Sequence, residues 1–401
     1  MIDFATLQGL TIPEGVVTQI ADASGRVLWM LNTGGGPVIL EVEKITHDTY
    51  AGETTYTGEQ FILLDIYPKT NGTVSVTYGG LTKTITDTSG AAEPNAQQVF
   101  FGTFNGVSDS VTTPVSGELT IEGDCVGFGC PMFKSSKFMS LRCVAICKIM
   151  SFGAITEIPD NAFTESLDGG CDKFNQASIR IPSHIERIGT NAFSGQSTLQ
   201  SVYISNGVKT IGGSAFSGEY VQSLEIPASV ESIGHNPVSG HAVATEAVME
   251  NNIISVAEGN SHYKIDGNCL IEIATNRLLA GFADRIVPDY VTMIGDYAFS
   301  NVLGLESVHL PAAITSIGKN AFRRADLTSI TIPESVTNIK IFAFSGVYNL
   351  TSVTFENTLG WYVTETEGGD ASTGTAIDVS DPATNVTMLT ETYNDYYWYR
   401  T

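Results

Sequence analysis

Six copies of the dipeptide Ala-Phe run down this 401-residue chain, and their spacing leaves few folds open. They stand at Ala162-Phe163, Ala192-Phe193, Ala215-Phe216, Ala298-Phe299, Ala321-Phe322 and Ala343-Phe344. The first three copies are 30 and 23 residues apart and the last three 23 and 22, with a gap of 83 between the two sets, and four follow an Ile-Gly step: Ile188-Gly189, Ile211-Gly212, Ile294-Gly295 and Ile317-Gly318. A unit this short cannot bury its own apolar edge, so units at a fixed period must stack as coils of a solenoid. A degenerate copy, Ile233-Gly234 with Pro237-Val238 in place of Ala-Phe, keeps the register at 22 residues.

Each position of the unit has a physical task. After Ala-Phe comes a turn (Ser194-Gly195, Ser217-Gly218, Ser345-Gly346), then a strand of the form Leu-x-Ser-Val-x-Ile, as at 199–204, 305–310 and 350–355. Alternation sends Val202 and Ile204 inward and Tyr203 outward. Pro182, Pro227, Pro288, Pro311 and Pro333 end the strand, because proline cannot donate to a ladder. The phenylalanines are placed to stack from coil to coil, with Phe216 and Phe322 in one aromatic column and Ala beside each ring. The Ile-Gly glycines are assigned to tight corners with positive φ. Since every coil runs in one direction, the short strands over about 151–357 are expected to be parallel.

Between Gly240 and Pro288 the period lapses. Ile254-Ser255-Val256, Tyr263 to Asp266 and Leu270 to Ile273 read there as strands, with an Asp-Gly turn, inserted at about 241–286. Ahead of the repeats, Pro37 to Asp124 reads as six or seven short strands, including a hairpin from Thr73 to Thr86 about Gly79-Gly80, which suits an immunoglobulin-like sandwich. The first 33 residues hold one hairpin, too small to be stable alone, so it is expected to dock on this chain or on a partner. At the other end, Trp361 and the run Tyr393 to Tyr399 read as an aromatic cap on the last coil. The chain thus divides into a hairpin anchor and linker (1–33), a sandwich (34–124), a cysteine-containing junction or N-cap (125–150), the repeats (151–357) and the cap (358–401).

Composition narrows the function. With 20 basic against 43 acidic residues, a net charge of −23, the surface repels a phosphate backbone or an anionic bilayer, so nucleic acid and membrane insertion are not expected. The first residues carry neither a basic region nor an apolar one, so no signal peptide is expected. Cys125, Cys130, Cys143 and Cys147 stand as C-x4-C, twelve residues, C-x3-C, near the spacing of a zinc site without fitting it, and free cysteines are the plainer reading. His235, His241 and His262 are spread too widely to compel a metal site. No nucleophile elbow, phosphate loop or zinc-protease motif occurs, and no catalytic residue, cofactor or metal is assigned.

The coil phrases, among them IPASVESIG and IPESVTNI, resemble the BspA-type leucine-rich-repeat family over about 151–357. That resemblance implies a mainly β leucine-rich-repeat solenoid used for adhesion or receptor binding, with no catalytic residues to transfer. The phrase LTIPEGVVTQIADASGRVLW resembles the N-terminal module of tail-associated virion proteins from phages and prophages of gut bacteria. Together these imply a non-enzymatic virion-associated recognition protein. It would meet a host-cell surface protein or glycan through the solenoid and other virion proteins through residues 1–33. The alternatives are a bacterial cell-surface adhesin and a virion decoration protein without a ligand. The variable outward strand positions are the candidate binding face: Gln200 and Tyr203, Gln222 and Glu225, Glu306 and His309, with Thr-only coils beyond them. The serine between them, at 201, 223, 307, 329 and 352, suggests a hydrogen-bonding ladder.

Overall fold

A computed structural model describes residues 19–21, 27–30, 37–43, 45–46, 60–88, 96–104, 107–108, 116–129, 146–164, 176–218, 221, 223–238, 254–267, 269–281 and 286–401. Gln19–Ala21 pairs with Val27–Met30 in an antiparallel ribbon. Two antiparallel sheets follow. One has the order Ile146–Phe152, Val38–Glu43, Ser116–Gly123, Thr73–Tyr78, Leu81–Thr86; the other has Cys125–Gly129, Gln60–Pro68, Gln97–Phe104, Val107–Ser108. Alternation makes the sandwich: Val74, Val76 and Tyr78 are buried, while Thr73 and Thr77 face out and hydrogen-bond across the hairpin to Thr86 and Thr82 at 3.1 and 2.9 Å. Tyr78 of one sheet meets Phe101 of the other edge-on, centroids 5.8 Å apart. The sheets do not end at residue 124. Cys125–Gly129 and Ile146–Phe152 are strands of the sandwich and not a separate junction, because their buried Phe128, Ile146 and Ile149 complete its core.

Most coils then contribute two strands. The longer are Ser178–Ile181, Ser201–Ile204, Ser223–Ile226 and Ile254–Val256, paired in parallel. The others are Glu157–Ile158, whose Ile precedes Pro159, and the strands that hold the Ile of the Ile-Gly step, Arg187–Ile188, Thr210–Ile211 and Ser232–Ile233, all parallel. The C-terminal coils repeat this with Met293–Ile294, Ser316–Ile317 and Asn338–Ile339, and with Ser329–Ile332 beside Ser352–Phe355. Leu305 to Leu310 is irregular and not a strand, although its coil still stacks, with the Thr328 N–H donating to the Glu306 carbonyl at 2.9 Å.

The glycines of the Ile-Gly step serve close approach, not positive φ. A Cβ at residue 318 would lie 2.6 Å from the Asp296 nitrogen, and one at residue 234 would lie 2.7 Å from that of Gly213. The left-handed residue is instead the one before Ala-Phe: Asn161, Asn191, Ser214, Tyr297, Asn320 and Phe342 have φ between 53° and 60°. Asn tolerates that region best among residues with a Cβ. The two aromatic exceptions sit where the stack meets something else. Tyr297 stacks on His235 at 4.7 Å, and the Phe342 N–H donates to Asn394 of the cap at 2.5 Å.

The rings form two columns and not one. Phe163, Phe193 and Phe216 stack at 5.0 and 5.6 Å; Phe299, Phe322 and Phe344 stack at 5.2 Å each. Between them lies the degenerate coil, where Phe216 donates its N–H to the Pro237 carbonyl and Val238 stands in the place of the ring. Asn236, buried, bridges the break by donating to the Tyr297 and Ala298 carbonyls at 3.1 and 3.2 Å. Within the interruption, Tyr263–Asp266 and Cys269–Glu272 form an antiparallel hairpin, and Arg277–Ala280 pairs antiparallel with the latter before the parallel ladder resumes. Leu270 and Leu279 from these strands enter the N-terminal core, whereas Ile271 and Leu278 enter the C-terminal one, so the insertion is a shared wall. At the far end Tyr397–Arg400 pairs antiparallel with Asn338–Ile339, and Trp361 and Trp398 are buried over the last coil. Asn385, fully buried, clamps this cap by donating to the Val353 and Val379 carbonyls at 2.9 Å each.

Candidate recognition surface

Parallel in-register pairing sets like positions of successive coils side by side, about 4.8 Å apart. In the N-terminal ladder the register aligns Arg180 with Tyr203, Tyr203 with Glu225, and Glu225 with Ser255. The neighbouring inward positions, Ile179, Val202, Leu224 and Ile254, are buried, so strand alternation forces this row into solvent. Tyr203 is 49% exposed, and the Arg180 guanidinium lies over its ring at 5.2 Å. A guanidinium so placed attracts the ring electrostatically, by about 0.5–1 kcal/mol at an exposed site. The row therefore presents a cation, an aromatic face, a carboxylate and a hydroxyl in sequence. Beside it, Ser178, Ser201 and Ser223 align as a second row of hydroxyls.

The structure thus brings Tyr203 and Glu225 together and adds Arg180, which sequence reasoning missed. Its signal was the Ser-Ile-Arg-Ile at 178–181, one period ahead of Ser-Val-Tyr-Ile but without the leading Leu. Gln200 is exposed just before the strand Ser201–Ile204, its N–H donating to the Ala177 carbonyl at 2.8 Å. Glu306 and His309 are exposed on the irregular segment of the C-terminal half, apart from Tyr203 and Glu225 in the ladder. The side chain of Gln222 lies outside the described residues. Among the described residues no hydrogen bonds join the repeated serines into a ladder. Hydroxyl-to-carbonyl bonds climb the coils through Thr292, Thr315 and Thr337, and through Thr328 and Thr351, each bonding one coil back at 3.0 to 3.4 Å.

Cys125 donates its thiol to the Gly127 carbonyl at 3.2 Å, and burial pushes it up to about 12, so the thiolate a metal needs is disfavoured there. Cys130 and Cys143, and the side chain of Cys147, lie outside the described residues, as does His241. His235 packs on Tyr297, and burial holds its imidazole below the usual range despite Asp296 nearby; His262 leans on Tyr263 at 6.4 Å. Among the described residues no three His, Cys, Asp or Glu converge on a point where a metal could sit. Nor is any helix there long and apolar enough to cross a membrane.

The family described as "BspA type Leucine rich repeat region" matches residues 156–261 and 281–364 in six copies. No curated protein matches the chain. Among solved structures it is similar to the pneumococcal vaccine antigen PcpA, at 20% identity and a TM-score of 0.43 over 54% of this chain and 58% of that one. It is also similar to a leucine-rich cell surface protein of Faecalibacterium prausnitzii, at 21% identity and 0.40 over 54% and 68%, and to a leucine-rich repeat protein of Eubacterium ventriosum, at 19% and 0.36 over 59% and 67%. The chain thus spans little more than half of the pneumococcal antigen.

Proposed function

We propose that this chain, a BspA-type leucine-rich-repeat region over residues 156–261 and 281–364, is a non-enzymatic recognition protein that meets a host-cell surface protein or glycan through the outward row of its N-terminal ladder. The observation that carries this reading is the Arg180–Tyr203 stack beside Glu225. Rigid aromatic and arginine side chains dominate binding energy, and here a parallel sheet fixes both in register. Glu306 and His309 extend the same kind of surface on the C-terminal half. The chain reaches its surroundings either on a virion, held through residues 1–33, or on a bacterial cell surface.

The test of recognition is binding of the full chain and of Tyr203→Ala to cultured host cells, by flow cytometry. A loss of tenfold or more with unchanged thermal unfolding supports the reading, and equal binding removes it. The carrier is decided separately, by whether removal of residues 1–33 abolishes incorporation into particles.

A further inference from the structure

The turn after each Ala-Phe needs a left-handed residue at its second position. Four described copies supply Gly or Asn: Gly195 at φ 80°, Gly218 at 152°, Asn301 at 55° and Gly346 at 70°. The fifth is Arg324, at 54°. That backbone is strained for a long side chain, and strain of this kind persists where something other than stability keeps it.

The surroundings indicate what keeps it. Arg324 is exposed, and neither it nor Arg323 pairs with a carboxylate among the described residues, although acids outnumber bases 43 to 20 in the chain. One coil on, a Cβ at Gly346 would lie 3.1 Å from the Arg324 Cγ and 3.7 Å from the Tyr348 Oη, so the arginine stem and the tyrosine tip share one small patch. Tyr348 is 87% exposed. One coil back, the Gly304 N–H donates to Asp326 at 2.8 Å, tying in the turn that carries Leu303, itself 41% exposed. The turns of three successive coils stack here, the Asn301 N–H donating to the Arg323 carbonyl at 2.7 Å and the Arg324 N–H to the Ser345 carbonyl at 2.9 Å, so Leu303, Arg324 and Tyr348 form a ridge on neighbouring turns with the half-buried Arg323 next in the chain.

We propose that this ridge is a second interaction surface, and that it takes an acidic segment of a partner protein. Carboxylates of the segment pair with the two guanidinium groups, and an apolar side chain packs on Tyr348 and Leu303. Arginine and tyrosine are the residue types that anchor protein interfaces, and guanidinium binds carboxylate in two parallel hydrogen bonds.

The test is selection of a displayed random-peptide library, about twelve residues long, on the full chain near physiological salt. Enriched peptides should carry Asp or Glu beside an aromatic or aliphatic residue. Arg324→Gly and Tyr348→Ala should each weaken them tenfold or more. Arg324→Gly should also leave the thermal midpoint unchanged or raise it, because glycine relieves the turn; a folding defect cannot then account for lost binding. No enrichment, peptides without acidic bias, or acidic peptides that bind Arg324→Gly equally well would each overturn the proposal.

Discussion

Replacing Phe322 by Ala takes the middle ring from the C-terminal column. The side chain is fully buried, with Phe299 and Phe344 stacked at 5.2 Å on either side. Burying a phenylalanine is worth about 1.5–3 kcal/mol. A cavity of about 100 Å³ adds about 2 kcal/mol at roughly 24 cal/mol per Å³. Each stacked pair contributes about 0.5–1.5 kcal/mol, partly counted already in the burial. The expected loss is therefore about 5 kcal/mol, at the upper end for Phe→Ala. Coils contact only their neighbours, so the C-terminal half should open first. Trp361 and Trp398 report that half; with Trp29→Phe, no other tryptophan contributes among the three in the chain. Urea unfolding followed by tryptophan fluorescence gives the loss. A value below about 1 kcal/mol would mean that the column bears no load and that the stacking argument is wrong.

Gly318→Ala should cost about 3 kcal/mol in the same assay, since its Cβ would press on backbone that cannot retreat; a neutral result would restore a mere corner role. Asn191→Ala should cost about 1–2 kcal/mol for the left-handed backbone, whereas Asn191→Gly should cost less. Burial holds His184 and His235 below the ordinary imidazole range. Their contribution to stability is then complete above about pH 6.5 and is lost as the pH falls towards the folded values. The thermal midpoint should drop between pH 7 and 5, and drop less in His235→Asn; a midpoint that rises on acidification contradicts the sign.

The repeat was legible because Ala-Phe and Ile-Gly are fixed by geometry that every coil shares. What each residue does was less so. The glycines looked like positive-φ corners, since sequence shows a missing Cβ but not the neighbouring coil that forbids one. The true left-handed site was visible as Asn161, Asn191 and Asn320 before Ala-Phe, yet Ser214, Tyr297 and Phe342 masked the pattern at the other three copies. The second ladder has strands of two residues, too short to show any period. Two columns replaced one because Pro237-Val238 keeps the spacing while removing the ring. At the surface, Tyr203 and Glu225 followed from alternation alone, whereas their relation to Arg180 needed the register between coils.

Recognition by the outward row of the N-terminal ladder, as proposed above, is open to direct measurement. The most direct measurement is the binding isotherm of the full chain on host cells beside that of the triple variant Arg180→Ala, Tyr203→Ala, Glu225→Ala. All three side chains leave exposed positions, so thermal unfolding should differ little between the proteins. The account predicts at least a hundredfold loss of affinity with the midpoint preserved. An unchanged isotherm would contradict it, and would leave the row a solvated scaffold.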